Sequence, residues 1–303
     1  MIVFASAITD PELYERCAAA GVERLRDAEP DIERIVFASV GSIFRNYNLI
    51  LDKVREREDL DDVEALVLIH QDAEITDPEF TTKLRAALAG PDVAIVGCAG
   101  AVDVRSIAWW EGSITWASFT HRYEELGGGE IPAFSWMTEK LPPYAKLGEV
   151  DSIDGFVMGL SPWAIRNLTF DESLGQIHGY DFDACMQVRA AGKKVVTADL
   201  QVVHHHSLTL IENVESWITA YMRVAQKWED NLPHHGSRDG DWEFRARRAE
   251  AEASAARLMG GVNDLLRVAH WQELDRMKNS LSWRITRPLR ALGARVRARR
   301  NGG

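Results

Sequence analysis

Residues 65–74 read ALVLIHQDAE, and our prediction of the fold starts from this segment. Its first half, residues 65–69, is an unbroken aliphatic run, which is typical of a strand buried on both faces of a parallel sheet. Its second half carries Asp72 and Glu74 directly after that strand. Ligands of open α/β sheets bind beyond the carboxyl ends of the strands, where such carboxylates can hold a divalent cation together with substrate phosphates. The alternative is that both carboxylates only solvate the end of a loop, and residues 70–74 alone do not separate the two interpretations.

Strands and helices alternate around this stretch through the first two-thirds of the chain. We predict strands over residues 2–7, 33–39, 65–69, 92–97, 153–160 and 194–204, and helices over residues 10–27, 43–57, 77–89, 181–191 and 211–230. Asp10-Pro11 and Asp77-Pro78 are typical of an N-cap followed by proline in the first helical turn. Residues 101–150 interrupt the alternation, and we expect long loops with short strands there. The order predicts an α/β fold in which helices flank a mostly parallel sheet.

The C-terminal part of the sequence has a different character. Residues 233–241 form a polar stretch that we interpret as a linker. We therefore predict one domain over residues 1–232 and a helical C-terminal extension over residues 233–303. The extension is expected to contain a charged helix over residues 242–277, either an oligomer contact or a spacer, and a shorter basic helix over residues 281–300.

Composition narrows the class of protein. The chain has 303 residues, 46% of them hydrophobic, and a net charge of −11, which argues against a nucleic-acid partner. The three cysteines are far apart in sequence and suggest no disulfide framework. The first apolar run has no basic lead or cleavage site and is predicted to be a strand, and no run is long enough to span a bilayer. We therefore expect a cytoplasmic protein.

Six short segments occur along the sequence in the order that is typical of one enzyme family. They are SIFRNYN at 42–48, HQD at 70–72, DGFVM at 154–158, FDE at 170–172, HGYDFD at 178–183 and HHHS at 204–207. Together they resemble the family-2-like glycosyltransferases of the GT-A fold, over about residues 1–210. In that family a buried strand ends in an Asp-x-Asp motif, and one branch has His-Gln-Asp instead. The resemblance implies a GT-A, Rossmann-like sheet with Mn²⁺ or Mg²⁺ as cofactor and a nucleoside-diphosphate sugar as donor.

The resemblance also implies a set of metal ligands. His70 takes the position of the family's first Asp, and Asp72 takes the second, which is the usual direct ligand. Glu74 is expected to be an accessory ligand, and His205 is preferred over His204 as the histidine that reaches the metal or the diphosphate. Successive residues of a strand face opposite sides, so the histidine run cannot all point into one site, and a three-histidine zinc site has poor geometry.

The remaining predicted site residues follow from the same resemblance. Asp181 matches the family's catalytic base, which takes the proton of the acceptor hydroxyl and typically contributes ~10²–10⁴-fold to the rate. Its alternative role is capping of the helix that starts there. The residues expected to contact the acceptor are Asp154, Gly155, Tyr180 and Asp183. The residues expected to contact the nucleotide sugar are Ala7, Thr9, Arg45, Asn48, His70, Gln71, Asp72 and His204.

The last residues of the chain are strongly basic. From Arg276 onward there are nine Lys or Arg and no Asp or Glu. Residues 283–290, WRITRPLR, resemble tails of bacterial polysaccharide glycosyltransferases. A basic amphipathic segment is typical of binding to a membrane surface, here the inner face of the membrane. The alternatives are docking on the acidic body of the same chain or pairing with a partner subunit in a homo-oligomer.

These observations favour one function over two alternatives. The resemblance implies a metal-dependent, inverting transfer of a sugar to a hydroxyl of a glycan, a lipid-linked sugar or a small glycoside. A sugar nucleotidyltransferase would need a basic, glycine-rich loop near the first strand, and residues 3–10 contain no Arg, Lys or Gly. A non-catalytic scaffold that binds sugars or nucleotides on the same fold is the other alternative.

Overall fold

The computed structural model describes residues 1–102, 104–111, 114–123, 129–132, 148–205, 213–231 and 242–286. It divides into two compact units, Met1–Ala255 and Ala256–Gly303. Ala251 and Ala255, near the end of the first unit, are buried, and the predicted domain boundary at residue 232 stays a prediction. The predicted linker at 233–241 and the basic segment after residue 286 lie outside the described residues.

The described residues form fourteen strands. They are β1 (Ile2–Ile8), β2 (Glu33–Ala38), β3 (Ala65–Ile69), β4 (Ala73–Ile75), β5 (Val93–Gly97), β6 (Ala99–Val102), β7 (Ile114–Ala117), β8 (Phe119–Tyr123), β9 (Gly129–Pro132), β10 (Gly148–Val150), β11 (Ser152–Ile153), β12 (Val157–Leu160), β13 (Lys194–Thr197) and β14 (Val202–His205). They form a seven-stranded sheet in the order β10-β13-β5-β12-β3-β1-β2, a three-stranded sheet β11-β6-β7 and a four-stranded sheet β4-β14-β8-β9.

The seven-stranded sheet is mostly parallel, as the sequence predicts. Strands β1, β2, β3, β5 and β13 share one direction, whereas β12 runs antiparallel between β3 and β5, and β10 runs antiparallel beside β13. All five residues of β3 are buried, which explains its continuous aliphatic sequence. Because β12 is antiparallel, the loop before it returns to the edge where β3 ends.

The described residues also form nine α-helices. They are α1 (Pro11–Tyr14), α2 (Ala20–Ala28), α3 (Ile43–Arg55), α4 (Phe80–Leu88), α5 (Pro162–Asn167), α6 (Tyr180–Ala190), α7 (Val214–Lys227), α8 (Trp242–Asn279) and α9 (Leu281–Ile285), and a π-helical turn joins the first two. Asp10 caps α1 as predicted, by accepting from the backbone N–H of Leu13. None of the described helices combines the length and apolar character needed to cross a membrane.

The predicted strand over residues 194–204 is two strands in two different sheets. β13 ends at Thr197 in the large sheet, and β14 begins at Val202 in the four-stranded sheet. Between them Gln201 has a φ of 41°, a left-handed conformation that breaks the extended chain. The break carries the histidines of β14 to the edge where β3 ends.

Candidate active site

The site begins at the carboxyl end of β3. The backbone N–H of His70 donates to the carbonyl of Phe156 at 2.9 Å, and the N–H of His205 donates to the carbonyl of Asp72 at 2.7 Å. The loop after β3 is therefore held on one side by the loop before β12 and on the other by β14. Polar side chains from three separate parts of the sequence meet at this edge.

His70, Asp72 and His204 form a group that could hold a metal ion. One ligand atom of each lies within 4.8 Å of the others, and no other such group of three occurs among the described residues. Nδ1 of His70 lies 4.0 Å from Oδ1 of Asp72, and Nε2 of His204 lies 3.6 Å from Oδ2 of the same carboxylate. The carboxylate is thus placed between two imidazole rings.

The structure brings His204 to Asp72, where the sequence favours His205. Strand residues alternate between faces, so these two histidines point to opposite sides of β14. Nε2 of His205 is 2.8 Å from Oε2 of Glu74, and Arg24 pairs with the same carboxylate at 2.9 Å. The metal roles of Glu74 and His205 stay predictions, whereas the group of possible ligand atoms in this structure contains His204.

Burial and the Asp72 carboxylate shift the pKa values of His70 and His204 in opposite directions. Burial lowers the pKa of His70 to about 4, so its ring is neutral at physiological pH. Burial also lowers the pKa of His204, but the neighbouring Asp72 outweighs it and the net shift is upward. The ring of His204 stacks on Phe156 with a centroid distance of 4.3 Å, which fixes its orientation.

Asp181 occupies the first turn of α6 beside the loop that precedes β12. Its Oδ2 accepts the backbone N–H of Gly155 at 3.1 Å, and its Oδ1 accepts that of Phe182 at 2.8 Å. Burial and the nearby charge of Asp154 raise the pKa of Asp181 to about 7. The pKa of Asp154 is raised as well, by burial. The carboxyl of Asp181 can therefore gain or lose a proton near neutral pH.

Gly155 is required by close packing at this position. A Cβ atom at residue 155 would lie 2.5 Å from the ring and hydroxyl of Tyr180 and 2.7 Å from Cβ of Asp181. The start of α6 therefore approaches the loop more closely than any side chain allows. Gly155 therefore allows Tyr180 and Asp181 to pack against this loop. Its contact with an acceptor stays a prediction.

Two of the residues predicted to contact the nucleotide sugar form side-chain hydrogen bonds with the backbone. Gln71 accepts the backbone N–H groups of Thr9 and Asp10 at 2.8 and 2.9 Å and donates to the Thr9 hydroxyl at 3.0 Å. Asn48 exchanges two hydrogen bonds of 2.8 Å with the backbone of Phe170. These amides fix the end of β1 and the position of α3. Ala7 is half-buried at the end of β1, and Arg45 is exposed at the start of α3.

Asp183 and Tyr180, both predicted to contact the acceptor, bind other side chains of this protein. The side chain of Asp183 is fully buried, and its oxygens bind Gln187, Trp228 and Lys227 at 2.8 Å each. It joins α6 to the end of α7, and its acceptor role stays a prediction. Tyr180 is buried, and its hydroxyl lies 2.8 Å from Nε2 of His70.

Sequence reasoning missed two residues that lie beside the site. His121 on β8 is directly opposite His204 on β14, with ring centroids 5.4 Å apart, and both rings are buried. The Trp109 side chain donates to Asp154. Both lie in the segment over 101–150 that the sequence predicts to be mainly loops. The strand register, which is not local in sequence, places His121 opposite His204, whereas Trp109 lies in a short helical turn.

Comparison with known proteins found one family match and several more distant similarities. Residues 3–227 match a glycosyltransferase-like family. The streptomycin biosynthesis protein StrF of Streptomyces griseus is 26% identical over 238 residues, which are 77% of this chain and 76% of that protein. Among solved structures, the mannosyltransferase PcManGT from Pyrobaculum calidifontis, in complex with GDP-Man and Mn²⁺, is 13% identical with a TM-score of 0.44, over 96% of this chain and 83% of its own.

A second solved structure, GalNAc-T7 with UDP, GalNAc and Mn²⁺, is 8% identical with a TM-score of 0.46, over 83% of this chain and 54% of its own. Both structural similarities are distant, whereas the family match covers most of the first compact unit. On the strength of that match, the protein belongs to the glycosyltransferase-like family.

Proposed function

We propose that the protein transfers a sugar from a nucleoside-diphosphate sugar to an acceptor hydroxyl, with inversion at the anomeric carbon and with a divalent cation. One observation carries this proposal. His70, Asp72 and His204 lie together at the edge of the central sheet where β3 ends. The Tyr180 hydroxyl contacts His70 of this group, and Asp181 is the residue that follows Tyr180. A cation site and a carboxyl that titrates near neutrality are the two chemical requirements of such a transfer.

The donor atoms of the cation site fit a transition metal better than Mg²⁺. His70 and His204 offer two imidazole nitrogens, and Asp72 offers a carboxylate oxygen. Mg²⁺ prefers an all-oxygen octahedral shell, whereas the first-row transition metals, with Mn²⁺ the weakest binder of the series, also bind sites with nitrogen ligands. When bound, the cation offsets the negative charge that builds up on the departing diphosphate. We therefore propose Mn²⁺ in preference to Mg²⁺.

Asp181 is proposed as the base. Its two hydrogen bonds from Gly155 and Phe182 cap the first turn of α6, and they also fix the direction of both oxygens. Each carboxylate oxygen has a second lone pair, so the same group can accept the proton of a sugar hydroxyl. A base whose pKa lies near the working pH is the most effective in this role. Capping and catalysis are therefore compatible at this position.

The acceptor and the donor are proposed to meet beside the loop that precedes β12. Asp154 influences the pKa of Asp181 and interacts with the charge of His204, so it lies between the two halves of the site. We propose that it contacts the acceptor sugar, and that the exposed Arg45 contacts the nucleotide. A glycan, a lipid-linked sugar or a small glycoside satisfies this chemistry.

The basic tail is proposed to hold the enzyme at an anionic membrane surface on the cytoplasmic side. Each Lys or Arg near such a surface contributes ~1 kcal/mol, and nine follow residue 275 without an opposing carboxylate. Flotation with vesicles containing phosphatidylserine should capture the full chain and not a chain ending at residue 275. Equal recovery of both chains would remove this part of the proposal. Light scattering of the two chains would show whether the tail instead joins subunits.

The enzymatic proposal is tested by a screen of nucleotide sugars. UDP-, GDP- and dTDP-sugars are incubated with the protein and Mn²⁺, and release of the nucleoside diphosphate is measured. We expect release from one donor class, loss of release with EDTA, and a matched loss in Asp72→Ala. Absence of release with every donor and with Mn²⁺, Mg²⁺ and Co²⁺, with acceptor sugars present, would contradict the proposal and favour a non-catalytic protein.

A further inference from the structure

Tyr180 contacts the nitrogen of His70 that does not face Asp72. Its hydroxyl lies 2.8 Å from Nε2, whereas Nδ1 lies 4.0 Å from the Asp72 carboxylate. A neutral imidazole has one N–H and one lone pair. The hydrogen bond at one ring nitrogen therefore determines what the other nitrogen offers.

The Tyr180 ring is held so that its hydroxyl stays on His70. The ring is 5% exposed and makes edge contacts with Phe44 and Tyr47, with centroid distances of 6.2 and 5.3 Å. On another side Gly155 leaves no room for a Cβ atom. Rotation of the ring away from His70 is therefore blocked by close-packed neighbours.

We propose that Tyr180 is a positioning residue for the cation site, in that its hydroxyl accepts Nε2–H of His70 and leaves the Nδ1 lone pair facing Asp72. This inference rests on the proposed function, because it concerns the same cation. A histidine that binds a metal commonly donates its other N–H to an oxygen partner, which fixes both the ring and the tautomer. Without Tyr180 that N–H would be buried without a partner, which disfavours the tautomer that binds a cation.

A tyrosine hydroxyl suits this position because it can donate as well as accept. With the proton on Nδ1 of His70, the N–H faces the Asp72 carboxylate and the Tyr180 hydroxyl donates to Nε2. With the proton on Nε2, the hydroxyl accepts instead. The ring changes tautomer without moving, so the site is formed in advance for either state. Phenylalanine at residue 180 would preserve the shape of this arrangement but could form this hydrogen bond in neither direction.

The inference is tested by measuring Mn²⁺ affinity without nucleotide, from the decrease in the EPR signal of free Mn²⁺. We expect Tyr180→Phe to weaken binding by about 10–100-fold. The matched control is Tyr14→Phe, which also removes one buried tyrosine hydroxyl but lies against Arg34. That control should bind within about 2-fold of the wild type, with far-UV circular dichroism confirming that both variants are folded.

A double-mutant cycle separates positioning from a general structural effect. If Tyr180 acts through His70, Tyr180→Phe should change Mn²⁺ affinity less than about 2-fold in a His70→Ala background. The same 10–100-fold loss in that background would overturn the proposal, as would unchanged affinity in the single variant.

A second readout needs no Tyr180 variant. Electron–nuclear double resonance of the wild type with Mn²⁺ should show imidazole nitrogen couplings that lose one component in His70→Ala, and an unchanged spectrum would overturn the proposal. If the wild type itself bound no Mn²⁺, the cation site of the proposed function would fail together with this inference. If the wild type bound Mn²⁺ and Tyr180→Phe bound it equally well, only this inference would fail.

Discussion

Replacing Asp181 with asparagine should change the pH dependence of stability in a direction that the structure fixes. Burial and the charge of Asp154 raise the pKa of this carboxyl from 3.8 to about 7. The folded protein therefore binds the proton more tightly than the unfolded chain does. The stability that comes from the protonated carboxyl is present below about pH 4 and is lost as the pH rises to about 7.

The size of the effect follows from the shift. Each pKa unit corresponds to about 1.4 kcal/mol, so between pH 5 and pH 8 the wild type loses about 3 kcal/mol relative to a variant that cannot ionise. For a domain of this size, this corresponds to a Tm difference on the order of 10 °C. The asparagine side chain would keep one acceptor oxygen, and the hydrogen bond that it loses is a cost that does not depend on pH.

The assay is thermal unfolding in EDTA at pH 5, 6, 7 and 8. We expect the Tm of Asp181→Asn minus that of the wild type to increase steadily with pH. Asp171→Asn is the matched control, because hydrogen bonds from Ser173 and Lys227 hold the pKa of Asp171 below its ordinary value. Its Tm difference from the wild type should be constant over this range. A constant difference for Asp181→Asn as well would refute the environment that we assign to the base.

Four further variants test other parts of the structure. Gly155→Ala should destabilise the fold by ~1–3 kcal/mol in urea unfolding, because its Cβ would overlap Tyr180; an unchanged midpoint would contradict this packing. His204→Ala should weaken Mn²⁺ binding by ~10–100-fold in calorimetry whereas His205→Ala should not, and the reverse order would restore the sequence-based preference. Asp183→Asn should cost ~1.5–3 kcal/mol, because Trp228 and the exposed Lys227 lose their charged partner, and a loss below ~1 kcal/mol would argue against its role in joining the helices.

Local sequence signals predicted much of the fold. The strand β3 coincides with the predicted residues 65–69. Asp10 caps α1, as the dipeptide Asp10-Pro11 predicts. Such features depend on neighbours within a few positions of the chain. Helix ends and buried parallel strands therefore leave a readable pattern in one sequence.

The choice between neighbouring histidines could not be predicted in this way. Which of His204 and His205 faces Asp72 depends on how β14 aligns with β4, and a shift of one residue reverses every side chain. The left-handed conformation at Gln201, which divides the predicted strand, has no glycine to announce it in the sequence. The structural partners of Asp183 could not be predicted either. Trp228 and Lys227 lie more than forty positions away in sequence, so nothing near Asp183 indicates that its carboxylate binds them.

The most direct test of the central claim is calorimetric titration of UDP, GDP and dTDP into the protein, with Mn²⁺ and with EDTA. Glu74→Ala is the matched control for Asp72→Ala, because both remove a carboxylate from the segment after β3 but only Asp72 belongs to the group with His70 and His204. We predict that one nucleotide binds in a Mn²⁺-dependent manner, that Asp72→Ala weakens this by at least ~100-fold, and that Glu74→Ala stays within ~3-fold. Binding that is equal in EDTA, or unchanged in Asp72→Ala, would contradict the cation site and with it the proposed transfer.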